Sequence, residues 1–255
     1  MTAPADDARG TLALAALPGL PEVRPGDDLA ALLATAGARL DGGLSAADVL
    51  AVAHKVVSKA EGRVVRLADV EPGPEARALA VEHGKDPRHV QVILNESEEI
   101  LRADRGRLIC RTRHGFVCAN AGVDASNAGG PDALVLLPED PDGSARALRR
   151  RLGCAVVITD SFGRAWREGQ VEVAIGCAGL APAEDWRGRP DAAGRELAAT
   201  VIATADELAA AADLVRGKDS GQPAVRVRGL ARGVTADDGP GAAALVRALE
   251  DDLFR

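Results

Sequence analysis

The chain has 255 residues, 47% of them hydrophobic and 27% charged, and carries a formal net charge of −7. That acidic balance excludes a generic nucleic-acid backbone binder, which needs a surplus of lysine and arginine against phosphate, but it leaves room for one local basic pocket. No apolar run reaches the ~18 residues of a membrane span.

The polar start Met1–Gly10, with Asp6 and Asp7, lacks the basic-then-apolar order of a signal peptide and reads as a loose tail over residues 1–10. Residues 11–255 read as one domain, either a single body or two interleaved lobes. The four cysteines, Cys110, Cys118, Cys154 and Cys177, include no Cys-x-x-Cys pair. They read as small apolar residues at strand positions in reduced, cytoplasmic surroundings.

Strand-like and helix-like segments alternate. Thr11–Ala16 reads as a strand broken by Leu17-Pro18-Gly19-Leu20-Pro21. Asp27 or Asp28 can cap a helix reaching about Leu40. Asp48–Ala53 is a short buried strand that runs into His54-Lys55-Val56-Val57-Ser58-Lys59-Ala60-Glu61-Gly62. Pro74–His83 and Arg88–Leu101 follow proline or aspartate start signals and read as helices. Leu108–Thr112 and Gly115–Cys118 form a hairpin pattern turning at Arg113-His114-Gly115. Ala133–Leu137 is a strand closed by Pro138, and Asp142–Leu152 a helix ending at Gly153.

Ala155–Thr159 is an apolar strand leading to Asp160-Ser161-Phe162-Gly163-Arg164. Val171–Cys177 alternates weakly, as a strand does. Gly176–Gly194 reads as a loop and the best candidate for a mobile segment. Glu196–Val215 reads as a long Ala-rich helix, Ala224–Val227 as a strand and Gly241–Leu253 as a final helix. The class implied is α+β, with mixed sheets and flanking helices.

The Gly-x-x-x-x-Gly-Lys-Ser/Thr loop and the Gly-x-Gly-x-x-Gly turn are both missing, so neither a P-loop nor a Rossmann fold is supported. Gly-x-Ser-x-Gly and His-Glu-x-x-His are missing as well. Any nucleotide site must then be of a rarer design.

Five segments nevertheless gather chemistry. Asn120-Ala121-Gly122-Val123-Asp124-Ala125-Ser126-Asn127 offers oxygen donors suited to Mg²⁺ or Mn²⁺; an Asx-rich turn is the plainer reading. Thr159–Arg167 sits at the carboxyl end of a strand, where open sheets bind ligands; its Asp160 and Ser161 suit a metal, and Arg164 and Arg167 suit phosphate or carboxylate oxygens. The plain alternative is a strand-to-loop turn with surface arginines. Lys55 and Lys59, four apart, share a face if helical; two ammonium groups side by side call for an anion, and a solvated helix face is the plainer alternative. Arg216-Gly217-Lys218-Asp219-Ser220-Gly221-Gln222-Pro223 can wrap an anion in backbone N–H groups or simply connect a helix to a strand. Leu17–Pro21 demands only a turn. Together these suggest a metal-bridged polyphosphate site, set against a plain α+β binding domain.

The order of these segments resembles the coenzyme F420-0:L-glutamate ligase family from about Leu12 to Arg228. Ala53–Arg63, Ala119–Asn127 and Thr159–Arg167 carry the resemblance. It implies an unusual ligase fold forming an intertwined homodimer, in the stand-alone form without the C-terminal flavin-binding domain of some bacterial relatives. It also implies use of GTP and of Mg²⁺ or Mn²⁺, with a response to K⁺. Carried over by position, Leu17, Pro18, Gly19, Leu20, His54, Lys55, Lys59 and Asn127 would contact GTP. Arg216, Gly217, Lys218, Asp219, Ser220, Gly221 and Gln222 would wrap it.

Asp124 and Asp160 would bind one divalent ion and Ser161 a second. The family's further ligand falls near Lys218, which as a cation cannot ligate; Asp219 stands next to it. The substrates implied are the deazaflavin F420 precursor and L-glutamate, joined through an acyl phosphate, with Arg164 a candidate for holding acidic groups. The rival readings are a GTP-dependent ligase acting on another acceptor and a non-catalytic nucleotide- or metal-binding regulator.

Overall fold

The computed structural model describes residues 10–230 and 232–252. Apart from Gly10, the expected N-terminal tail lies outside the described residues. In chain order the strands and helices are β1 (Ala13–Ala16), α1 (Leu29–Gly37), β2 (Val49–Ala53), α2 (His54–Ala60), β3 (Val64–Arg66), α3 (Pro74–His83) and α4 (Pro87–Glu96). There follow β4 (Ser97–Asp104), β5 (Arg107–Thr112), β6 (Val117–Ala119), β7 (Ala133–Val135), α5 (Pro141–Leu152), β8 (Ala155–Arg164) and β9 (Arg167–Ala178). The last are β10 (Glu184–Asp185), β11 (Val201–Ile202), α6 (Thr204–Asp213) and β12 (Ala224–Arg228).

A mixed five-stranded sheet runs in the order β1-β12-β2-β8-β9. Only β2 and β8 pair in parallel; the other neighbours are antiparallel. Both faces of this sheet are covered. Leu50 and Val52 of β2, with Val156 and Ile158 of β8, pack into a core with α1, α2 and α5. Val49, Ala155, Val157 and Val227 face the other way, onto Ala205 and Leu208 of α6. Burial on both faces is why these strands read as unbroken apolar runs.

A separate cluster holds Ala76 and Ala80 of α3, Val90 and Ile93 of α4, Leu108 and Cys110 of β5, Ala121 and Leu134. There β4-β5-β6 form an antiparallel meander, and β3 pairs with β7. This architecture is the expected α+β class. No helix among the described residues is long and apolar enough to cross a membrane.

Several expected boundaries are corrected. The helix expected over Arg88–Leu101 ends at Glu96, because Ser97 turns extended and β4 takes up pairing with β5. Arg63 and Arg113 reach Glu96 from distant segments and clamp its carboxylate at that point. The long helix expected over Glu196–Val215 shortens to α6, since Val201 and Ile202 pair with Asp185 and Glu184. Gly176–Gly194 is not one loop: it starts inside β9 and includes β10.

The final helix expected over Gly241–Leu253 appears as 3₁₀ turns at Ala242–Leu245 and Leu249–Asp251, with Leu253 outside the described residues. The buried Asp142 carboxylate fixes the start of that segment by accepting from Ala242 N at 2.7 Å and Ala243 N at 3.1 Å.

The strand expected to end at Thr159 continues to Arg164 and turns back as a long hairpin with β9. A register shift between Ile158 and Thr159 leaves Ile175 unpaired in β9, which explains the weak alternation there. Such bulges bend a strand and re-aim its side chains. At the neighbouring Gly176 a Cβ would lie 2.4 Å from the Pro141 carbonyl oxygen, so close packing of α5 requires glycine there.

Candidate active site at one edge of the sheet

The chain places the five chemistry-bearing segments together. Leu17 N donates to Ala224 O at 2.8 Å, and Ala53 N donates to Pro223 O at 2.8 Å. The Leu17–Pro21 turn, the end of the Arg216–Pro223 loop and the start of α2 therefore meet at one edge of the five-stranded sheet. Ala53 pairs with Thr159 in the parallel ladder, which brings Asp160 alongside. This is the carboxyl end of the parallel pair, the edge where open sheets bind ligands. The turn is sharp because Gly19 adopts φ +67°, and Arg39 Nη1 donates to its carbonyl at 3.2 Å.

Successive residues of α2 engage the two candidate metal aspartates. His54 Nε2 lies 3.2 Å from Asp160 Oδ1, off the line of a hydrogen bond. Lys55 Nζ lies 2.7 Å from Asp124 Oδ2 and donates to Ser126 Oγ at 2.6 Å. Asp124 is held in place by a bridge to β7, with Asp124 N on Val135 O at 3.0 Å and Val135 N on Asp124 O at 2.8 Å. Burial works to raise the Asp124 carboxyl; the Lys55 ammonium and the Ser126 backbone N–H outweigh it, leaving it below the ordinary carboxylate range.

Asp160 Oδ1 also accepts from Ser161 N at 2.8 Å. Its Oδ2 takes no hydrogen bond from any described residue. The oxygen donors of Asp124 and Asp160 are of the kind a hard divalent cation such as Mg²⁺ or Mn²⁺ prefers, while among the described residues no group of three or more His, Cys, Asp or Glu gathers at one point.

Lys55 and Lys59, expected on one helical face, make separate ion pairs. The Lys59 ammonium is largely buried and bonds Glu22, whose side chain is 66% exposed. Asn127 adopts φ +54° at the exposed end of its segment, a backbone region asparagine tolerates better than most residues.

Sequence reasoning missed Glu172. It lies directly across the β8–β9 hairpin from Ser161. Its side chain is 4% exposed, and Oε2 accepts from Arg216 Nη2 at 2.5 Å. Oε1 accepts from the Ser161 hydroxyl, and Lys218 Nζ lies 3.2 Å away. Burial alone would push the Glu172 carboxyl up, but Arg216, Ser161, Thr159 and Lys218 together hold it low. Arg216 is itself buried and also donates to Thr159 Oγ1 at 2.7 Å and Pro223 O at 3.3 Å. The one available signal was a charge in a strand that is otherwise apolar toward its end.

Ser161, the residue expected to hold a second metal ion, is engaged by protein partners in this structure. Its hydroxyl is taken by Glu172 and by the Lys218 ammonium. Asp219 is exposed in the same loop, where Ser220 Oγ donates to Gly217 O at 2.8 Å and Gln222 N donates to Ser220 Oγ at 3.2 Å. Gly221, with φ +65°, completes that turn. Arg164 is not drawn into this group: its Nη2 donates to Glu168 O at 2.9 Å near the hairpin tip. The cysteines are poor nucleophiles. Burial pushes all four thiols up, Cys154 to about 11 and Cys177 to about 12.

The profile of the F420-0:gamma-glutamyl ligase family matches residues 19–229. The chain belongs to this family. It is 50% identical over 253 residues to a Methanopyrus kandleri protein named coenzyme F420:L-glutamate ligase, covering 96% of this chain and 98% of that one. Proteins of the same name from Methanothermobacter thermautotrophicus and Natronomonas pharaonis are 46% and 48% identical. Those alignments cover 96% and 94% of this chain, and 99% and 93% of the relatives. Except for Leu17 and Pro18, every site residue discussed above lies inside the matched stretch.

Proposed function

We propose that this chain is a ligase joining the amine of L-glutamate to a carboxylate of the coenzyme F420-0 precursor, with GTP as phosphoryl donor. The observation that carries the reading is the meeting of Asp124, Asp160, Lys55, Lys59, Lys218 and a glycine turn at one sheet edge. It is made in a chain whose relatives, 45–50% identical, are named coenzyme F420:L-glutamate ligase.

A carboxylate is a poor acyl donor because it would have to expel oxide. In the first step an acceptor carboxylate oxygen bonds to the γ-phosphorus of GTP while the bond to the bridging oxygen of GDP breaks. The product is an acyl phosphate. In the second step the glutamate amine attacks the acyl carbon and the bond to phosphate breaks. Amide and inorganic phosphate result, and the amine proton passes to the departing phosphate or to water.

Lys55 and Lys59 lie where they can exchange Asp124 and Glu22 for phosphate oxygens. The Leu17–Leu20 turn, Asn127 and the backbone of the 216–222 loop are proposed as the remaining nucleotide contacts. A divalent ion held by Asp124 and Asp160 would neutralise charge on the transferred phosphoryl oxygens. No covalent nucleophile is needed, in keeping with the suppressed cysteines. A homodimer and a response to K⁺ are proposed with this reading; light scattering tests the first and assays with and without K⁺ the second.

The deciding experiment incubates the protein with GTP, Mn²⁺, L-glutamate and the unglutamylated precursor and reads product mass. A gain of one or more glutamyl units that requires GTP and metal supports the reading. GTP binding without any gain would move the function to another acceptor or to a regulator.

A further inference from the structure

His54 is 2% exposed, so its ring sits behind the ligand-facing surface. The side chain is set from two sides. Ser58, one helical turn on, places its Oγ 3.3 Å from Nδ1. The other nitrogen lies 3.2 Å from Asp160 Oδ1, off the line of a hydrogen bond, and has no hydrogen-bond partner among the described residues. A buried polar nitrogen without a partner is rare in native structures and calls for an explanation. The contact from His54 and the hydrogen bond from Ser161 N both fall on Oδ1, and the other carboxylate oxygen is left unbonded by the described residues.

We propose that His54 is a positioning residue for Asp160. The imidazole, braced by Ser58, fixes one carboxylate oxygen and thereby presents the other to the divalent ion. Groups behind a ligating side chain commonly orient it in this way. The role rests on the reading of Asp160 as a metal ligand given above. It also explains why a histidine buried this deeply stands at the first position of α2, where it cannot itself reach solvent.

The test titrates Mn²⁺ into the full-length protein with a non-hydrolysable GTP analogue, following free Mn²⁺ by electron paramagnetic resonance. Crystal structures of the wild type and of His54→Ala provide a second readout. His54→Ala is expected to weaken Mn²⁺ binding about 10- to 100-fold and to let the Asp160 carboxylate rotate. His54→Gln, whose amide nitrogen reaches the place of Nε2, should recover most of the affinity and guards against simple misfolding. Ser58→Ala should lose less than His54→Ala. Wild-type Mn²⁺ affinity in His54→Ala, or an unmoved Asp160 in its structure, overturns the proposal. If Asp160→Asn leaves Mn²⁺ binding untouched, the metal reading of Asp160 fails by itself. The positioning role is then decided by the carboxylate orientation in the His54→Ala structure alone.

Discussion

Replacing Glu172 by alanine removes the acceptor that joins three segments of the site. Glu172 and Arg216 are 4% and 6% exposed, so the guanidinium would remain in the interior without its carboxylate. Breaking a buried pair from one side costs about 3–5 kcal/mol. Arg216 keeps Thr159 Oγ1, Pro223 O and a weaker contact of 3.7 Å to Asp213, so the lower end applies, about 3 kcal/mol. In a chain of this size 1 kcal/mol moves Tm by about 2–4 °C, and Glu172→Ala should therefore melt about 6–12 °C below wild type. Scanning calorimetry and urea unfolding read this directly. The double variant Glu172→Leu/Arg216→Met removes both charges and should recover much of the loss, because apolar residues of similar volume often replace a buried ion pair at little cost. A single variant within about 2 °C of wild type, or a double variant as unstable as the sum of the two singles, would refute the assignment of a coupled buried pair.

Asp124→Asn should cut ligase turnover at least about 100-fold while leaving Tm nearly unchanged. The Lys55–Asp124 pair is partly exposed, and such pairs contribute about 1 kcal/mol or less; a large Tm loss in the melt would point to a structural role instead. Glu22→Gln removes the exposed carboxylate that holds the Lys59 ammonium, and a fluorescent GTP analogue should then bind about 2- to 5-fold tighter; weaker binding would show that Glu22 supports the site. The folded-state pKa of Glu172 is depressed, so its contribution to stability is complete above the ordinary glutamate value of about 4.3 and is lost as pH falls through the lower folded value. Glu172→Gln should flatten the acid limb of the stability profile in that window, and an unchanged slope in acid titration would deny the shift.

The readable parts of the fold were those set by local pattern or by burial on both faces. β2 and β8 announced themselves as apolar runs, α5 by its proline start and Gly153 end, and the β5–β6 hairpin by its turn. The misread parts were decided from far away in sequence. Glu96 ends α4 under two arginines separated from it by 33 and 17 residues. Val201 and Ile202 leave a helical pattern because a distant two-residue strand offers them backbone partners.

The site divides in the same way. Asp124, Asp160 and the lysines stood out as clusters of chemical types in short windows. Glu172 became visible only through the register of β8 against β9, and Glu22 only through the burial of Lys59. Cross-strand and through-space partners leave no spacing rule in a single sequence.

The geometry of α2 gives the two carboxylates a common reference. Consecutive helical residues diverge by about 100° around the axis, so His54 turns inward to β8 while Lys55 turns outward to the Asp124 segment. Asp160 belongs to the five-stranded sheet, whereas Asp124 is hydrogen-bonded to β7 beside the second core. One short helix therefore touches a carboxylate from each. Val56 and Val57 fix that helix in the main core, and Ser58 and Lys59 are buried behind it. A rotation that released either aspartate would have to break this packing. Polar side chains mounted on a rigid element in this way hold their relative positions more closely than loop residues do, which is what a cation shared between Asp124 and Asp160 would require.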